Sequence, residues 1–153
     1  MENKIFSPLS GKVVSLKEVP DEVFSREMLG PGLAILPENG NIVSPFDGIL
    51  IQIASTLHSC TFKSDHGIEI LLHIGIDTVE LNGTGFSFFA KLNQKIKTGD
   101  IIGSFDVEFL KSKNYKLHSP VVILNKEFFD VNFTEEKKVK SGQTPIIFYK
   151  NII

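Results

Sequence analysis

The chain of 153 residues, 1–153, carries 16 basic and 18 acidic side chains, four histidines and one cysteine, for a formal net charge of −2, and that length suits a single domain able to bury roughly 70% of its unfolded surface. The charges are interspersed, so no basic stripe argues for nucleic acid. No apolar run approaches the roughly 20 residues of a membrane span, the start Met-Glu-Asn-Lys-Ile-Phe is not a signal peptide, and a lone cysteine cannot close an intramolecular disulfide and suits a reducing cytosol.

Near the N-terminus, Ser7-Pro8-x-x-Gly11-Lys12-Val13-Val14 reads as a turn feeding a strand, and the pattern recurs as Ser44-Pro45-x-x-Gly48-Ile49-Leu50-Ile51. Residues 56–63, Thr-Leu-His-Ser-Cys-Thr-Phe-Lys, and residues 68–74, Ile-Glu-Ile-Leu-Leu-His-Ile, are rich in strand formers. Between them Ser64-Asp65-His66-Gly67 is a hairpin turn signal, because Asp and Gly tolerate left-handed backbone. Residues 84–92 and 106–113 are the best candidates for short helices. Lys97-Thr98-Gly99-Asp100-Ile101-Ile102 is echoed by Ser141-Gly142-Gln143-Thr144-Pro145-Ile146-Ile147. Thirteen Phe and many Ile and Val sit in short runs between Gly, Pro, Asn and Asp. The expected fold class is therefore all-β: an antiparallel β-sandwich with pseudo-duplicated hairpin units and a few short helices.

His73 is the most informative single residue. An apolar run, Ile70-Leu71-Leu72, delivers its imidazole to a strand end, with Gly75 and Asp77 just beyond. A neutral imidazole is a usable nucleophile near pH 7, although a lone histidine on an apolar segment is more often a hydrogen-bonded core residue. His58 changes the balance. A hairpin centred between Asp65 and His66 places His58 directly opposite His73, with Cβ atoms about 4.5–5.5 Å apart; a three-residue loop with a bulge would shift that register by one. Two facing imidazoles suit metal binding, given further ligands, or a nucleophile beside a group that steadies charge on its adduct. Phosphoryl transfer fits the second arrangement, since it needs positioning and donors aimed at phosphoryl oxygens.

Across nearly its whole length the sequence resembles the glucose-type enzyme IIA family of the bacterial phosphoenolpyruvate-dependent sugar phosphotransferase system. The resemblance is carried by Ser7-Pro8-Leu9-Ser10-Gly11, Glu18-Val19-Pro20-Asp21 with Val23-Phe24, Gly32-Leu33-Ala34-Ile35, Ser44-Pro45-Phe46-Asp47-Gly48, Thr56-Leu57-His58, His73-Ile74-Gly75-Ile76-Asp77-Thr78-Val79-Glu80-Leu81, Lys97-Thr98-Gly99-Asp100 and Ser119-Pro120-Val121-Val122-Ile123. It implies a β-sandwich of the duplicated hybrid motif type. It implies that His73 takes a phosphoryl group from the carrier protein HPr and passes it to a IIB domain of a sugar permease, that His58 supports the transfer, and that Thr56 stands close to the pair. Asp21 and Asp77 match rim carboxylates that meet basic residues of HPr. The reacting nitrogen in the family is Nε2, which would require the opposite ring nitrogen to be held by a hydrogen bond. The resemblance places the protein in the cytoplasm, transiently at the inner face of the membrane through the permease. Family members often have a longer N-terminal tail; almost nothing precedes Phe6 here, so a tail-mediated membrane contact is not expected. Ala54 and Cys60 stand where relatives usually carry aromatic residues, and Glu22 replaces a usual apolar one. The expected apolar rim is correspondingly small, with Val23, Phe24 and Val79 as its members.

Other readings stay open on the residues themselves. Family resemblance also allows a regulator, binding permeases or kinases and switched by phosphorylation. A zinc hydrolase lacks a His-x-His and an evident third ligand besides Cys60; zinc at His58 and His73 nonetheless remains a candidate occupant, while phosphoryl transfer itself requires no cofactor. A biotin- or lipoyl-carrying domain would need a displayed lysine flanked by Met or Asp-Ala, and no such tripeptide occurs. Cys60, two residues from His58, is expected on the same strand face, as a small buried hydrophobe, an oxidisable neighbour or a metal ligand with the histidines. His66 reads as a solvated turn residue and His118 as structural or exposed.

Overall fold

The computed structural model describes residues 2–152. In chain order the strands are β1 (Asn3–Phe6), β2 (Gly11–Ser15), β3 (Gly32–Pro37), β4 (Asn41–Val43), β5 (Gly48–Ile53), β6 (Ser59–Ser64), β7 (Glu69–His73), β8 (Phe86–Phe88), β9 (Lys95–Ile96), β10 (Ile101–Phe105), β11 (Ser119–Ile123), β12 (Phe129–Phe133), β13 (Lys138–Val139) and β14 (Pro145–Asn151). Two short α-helices, α1 (Glu22–Ser25) and α2 (Val107–Ser112), and three 3₁₀ turns complete the described secondary structure. An eight-stranded sheet runs in the order β13-β2-β3-β11-β7-β6-β5-β9, and two three-stranded sheets run β1-β14-β12 and β4-β10-β8. The strand pairings are antiparallel, as in the β1–β14, β10–β8 and β6–β7 ladders.

The main core joins residues of all three sheets. Leu33, Phe62, Ile70, Leu72 and Val121 come from the large one, Ile5, Ile147 and Tyr149 from one small sheet, and Ile42, Ile102 and Phe105 from the other. The repeated Ser-Pro units build matching corners. Ser7 Oγ donates to Leu9 O and Ser44 Oγ to Phe46 O, both at 2.6 Å. Gly142 N–H donates to Ser7 O, and Gly99 N–H donates to Ser44 O. The echo between residues 97–102 and 141–147 is thus a structural one: each glycine seals the Ser-Pro corner of its own unit.

A second, smaller apolar cluster lies apart from that core. Leu16, Val19, Phe24, Ala34, Ile76 and Val122 pack together with Val14 and Leu71. It fastens the segment from Leu16 to Ser25, including α1, onto the large sheet. The 3₁₀ turn Leu16–Glu18 is entered through a capping box between Ser15 and Glu18, and α1 is capped by Asp21, whose Oδ1 accepts from Val23 N–H at 2.9 Å.

Two expectations need correcting. Residues 84–92 are not helical; they contain β8, whose Phe86 and Phe88 pair with Phe105 and Gly103. Gly83 and Gly85 take φ of 90° and 91°, which ends any helical continuation from the 3₁₀ turn at Thr78–Leu81. The region 106–113 does hold a helix, α2, capped by Asp106 accepting from Phe109 N–H at 3.0 Å. The second correction concerns the hairpin register. Its loop has three residues, Asp65-His66-Gly67: Ser64 N–H donates to Ile68 O, Gly67 N–H donates to Ser64 O, and Gly67 supplies a φ of 96°. The extra residue moves the pairing by one, so Ser59, not His58, stands opposite His73.

Candidate functional site

The register correction would ordinarily separate the two histidines, because adjacent strand positions point to opposite faces. The rings meet all the same, with centroids 4.8 Å apart at an interplanar angle of 82°. His58 is not in β6. It sits on the bend before it, directly after Leu57, which adopts a left-handed φ of 60°. That turn frees the His58 side chain from strand alternation. Its carbonyl still accepts from Ile74 N–H at 2.8 Å, so the bend stays tied to the end of β7. A left-handed leucine is strained, costing about 1–3 kcal/mol, and here the strained residue adjoins the histidine pair. Asp77, two residues beyond Gly75, is left-handed too, at φ 63°.

Each imidazole is oriented by one short hydrogen bond. His73 Nδ1 lies 2.7 Å from the Gly75 carbonyl. A carbonyl only accepts, so Nδ1 carries the proton and the lone pair of the neutral ring is on Nε2. His58 Nδ1 lies 2.7 Å from Thr56 Oγ1. Both Nε2 atoms are left without a hydrogen-bond partner among the described residues. Phe24 packs on His73 with ring centroids 5.0 Å apart.

Burial dominates the electrostatics of the pair. His73 is pushed down to about 4 by desolvation, against opposing pulls from the Gly75 carbonyl and from the charges of Asp21 and Asp77, with the neighbouring His58 lowering it further. Burial lowers His58 as well. At neutral pH both rings are therefore uncharged.

Thr56, His58 and His73 come together at the core of the site, and Asp21 and Asp77 lie close enough to act on His73. Val23 and Val79 are exposed, as a rim requires. Phe24 is only 4% exposed, so it is a wall behind His73 rather than part of a docking surface. Cys60 is not on the histidine side. It pairs with Leu72 and is buried in the main core, because once His58 leaves the strand the alternation of β6 turns Cys60 inward. His66 is exposed in the hairpin loop and His118 lies in the irregular segment just before β11; neither joins the pair. Nothing in Thr56-Leu57-His58 marks a left-handed turn at Leu57, and the role of the Gly75 carbonyl appears only in three dimensions.

Among the described residues no group of three or more His, Cys, Asp or Glu is placed to hold a metal ion. The two free Nε2 atoms could supply two ligands, and Cys60 cannot supply a third. Among the described residues no helix is long and apolar enough to cross a membrane.

Comparison with known proteins assigns the chain's family and its fold. The family model described as "phosphoenolpyruvate-dependent sugar phosphotransferase system, EIIA 1" matches residues 3–129. The chain is 42% identical over 146 residues to the PTS system glucose-specific EIIA component of Buchnera aphidicola, covering 95% of this chain and 91% of that protein. It is 37% identical over 142 residues to the PTS system glucose-specific EIICBA component of Staphylococcus saprophyticus, covering 93% of this chain but only 21% of that longer protein. Among solved structures, glucose permease IIA from Mycoplasma capricolum superposes with a TM-score of 0.89 at 34% identity, covering 96% of each chain.

Proposed function

The chain belongs to the EIIA 1 family of the phosphoenolpyruvate-dependent sugar phosphotransferase system, and from that premise we propose that it is a histidine phosphocarrier, accepting a phosphoryl group from phospho-HPr on His73 Nε2 and donating it to a IIB domain during sugar uptake. The observation that carries the assignment is the Nδ1–H bond of His73 to the Gly75 carbonyl at 2.7 Å. It fixes the tautomer whose Nε2 holds the attacking lone pair. A ring held down to about 4 is neutral, and so competent, at physiological pH.

The step is an in-line displacement. The His73 Nε2 lone pair forms a bond to phosphorus while the bond between phosphorus and the donor's histidine breaks, its electron pair returning to the donor imidazole. The His73 ring gains positive charge as the bond forms. The Gly75 carbonyl strengthens its hold on Nδ1–H, and Asp21 and Asp77 favour that charge. With Thr56 donating to His58 Nδ1, the His58 proton sits on Nε2 and can bond a phosphoryl oxygen. Phe24 and the apolar cluster beneath it limit water around the labile P–N bond. Donation to IIB runs the same displacement in reverse sense. That a relative carries EIIA joined to EIIC and EIIB supports a permease partner, with the protein working in the cytoplasm at the inner membrane face.

The test is incubation with enzyme I, HPr and phosphoenolpyruvate, read by mass spectrometry as one acid-labile phosphoryl group. His73→Gln should take no label. His58→Gln should accept a phosphoryl group but pass it on slowly. Equal labelling of His73→Gln and wild type would overturn the assignment. With the Thr56 hydroxyl turned to accept from His58 Nδ1–H instead, both Nε2 atoms would carry lone pairs, and that tautomer favours zinc as a competing occupant, with remaining positions filled by water or a partner's carboxylate. Bound zinc would occupy the lone pair and inhibit transfer. Calorimetry should show its binding weakened in His73→Gln; no binding at neutral pH counts against it.

A further inference from the structure

The Gly75 carbonyl that orients His73 is itself held from behind. β7 pairs with β11 only from Ile70 to Leu72, and beyond His73 the chain leaves the sheet. Gly75 N–H, buried and deprived of a ladder partner, donates instead to Ser119 Oγ at 3.1 Å, and Ser119 Oγ donates to Leu117 O at 2.9 Å. The next peptide, which contains the Gly75 carbonyl, is held at its far end by Ile76 N–H donating to Lys116 O at 3.0 Å. Thr78 Oγ1 donates to Ile74 O. Both peptides flanking Gly75 are thus pinned, and there is little slack. Gly75 has a φ of 71°, and a Cβ there would lie 2.8 Å from Thr78 Cγ2 and 3.1 Å from Lys116 O.

Ser119 is fully buried at the start of β11, followed by Pro120, Val121, Val122 and Ile123, all buried. A hydroxyl in such a strand needs partners. Both its donor and its acceptor capacity are used, and the acceptor side goes to the glycine whose carbonyl sets the His73 tautomer. Resting on the reading of His73 as the phosphoryl acceptor, we propose that Ser119 is a positioning residue for phosphoryl transfer, holding Gly75 so that its carbonyl keeps the proton on His73 Nδ1 and the lone pair on Nε2. Outer partners that orient metal-binding histidines typically contribute about 10–100-fold, and a partner that fixes the ring of a phosphoryl-accepting histidine is expected to act on the same order.

The test uses the whole chain with nitrogen-labelled histidine. In wild type near neutral pH, NMR of the His73 ring should show the Nδ1–H tautomer alone; a proton on Nε2 overturns the proposal before any variant is made. Ser119→Ala should give a mixture of tautomers and roughly tenfold slower phosphoryl acceptance, and Ser119→Thr, which keeps the hydroxyl, should restore both. Ser119→Ala with one Nδ1–H tautomer and the wild-type rate overturns the proposal. Where Ser119→Ala does not fold, Ser119→Cys weakens the same bond at nearly the same volume: a shifted tautomer ratio supports the role, an unshifted one overturns it. A wild-type chain that takes no phosphoryl group, yet loses its single tautomer in Ser119→Ala, supports the positioning role while defeating the phosphocarrier reading.

Discussion

Burial pushes His73 down to about 4, while an imidazole in an unfolded chain titrates near 6.5. Between those values the unfolded chain binds a proton that the native state refuses. Stability therefore rises with pH across that window, and is lost as pH falls from about 6.5 toward 4. His58 and His118, both lowered chiefly by burial, act with the same sign. The urea midpoint should accordingly drop between pH 7 and about 5, and His73→Gln should reduce the drop; an identical pH dependence in the variant would show that His73 is not held neutral. Phosphoryl acceptance should persist at pH values where a solvent-exposed histidine is already charged, measurable as the initial rate of labelling at fixed phospho-HPr. The identity of the two histidines was legible in the sequence because chemistry-bearing residues in strand-like runs are few. The Leu57 conformation was not, because a left-handed leucine is imposed by tertiary packing rather than by local preference.

The β6–β7 hairpin shows how an element can be read correctly and placed wrongly. Composition gave both strands and the turn between them, but the number of loop residues sets the register, and Asp65-His66-Gly67 makes three rather than two. The histidines meet because His58 sits on a bend that precedes β6, so a correct contact follows from a different geometry. The residue pattern at 84–92 failed for a related reason: Gly83 and Gly85 supply backbone conformations that no composition average registers. The element beside the site, α1, allows a sharper separation of effects. Asp21 both caps it and bears on His73. Asp21→Asn keeps a capping oxygen and should leave the denaturation midpoint nearly unchanged while slowing transfer from HPr. Asp21→Ala removes the cap as well and should cost about 0.5–2 kcal/mol of stability. Equal stability loss in both variants would show that the cap contributes nothing.

The whole molecule presents a weakly acidic surface, with formal net charge −2, around a rim whose exposed apolar members are Val23 and Val79. Moving Phe24 from the rim to the wall leaves that rim without an aromatic anchor at this position, so recognition of a basic partner should lean on Asp21 and Asp77. Charge steering of this kind acts on the association rate and is screened within roughly 8–10 Å at physiological salt. The second-order rate of transfer from HPr should therefore fall severalfold between low and about 0.5 M salt, and Asp77→Asn should flatten that dependence without loss of the fold; a rate indifferent to salt would assign docking to the apolar residues. The β-sandwich itself was legible from strand composition and the repeated Ser-Pro corners, whereas the separate cluster under the site was not, since its members are scattered from Leu16 to Val122. Cys60 gives the architecture a further use. Its thiol shares a hairpin with the histidine pair but is sealed in the core, with its ionisation pushed far up by burial, and a protonated thiol is a poor nucleophile. An alkylating reagent reaches it only when the sheets part, so the rate of carbamidomethylation is a chemical clock for opening of the fold. Because His73 faces the other way, that clock can be run on the phosphorylated and unphosphorylated protein alike, and the difference between the two times reports how far the phosphoryl group tightens the layer beneath it.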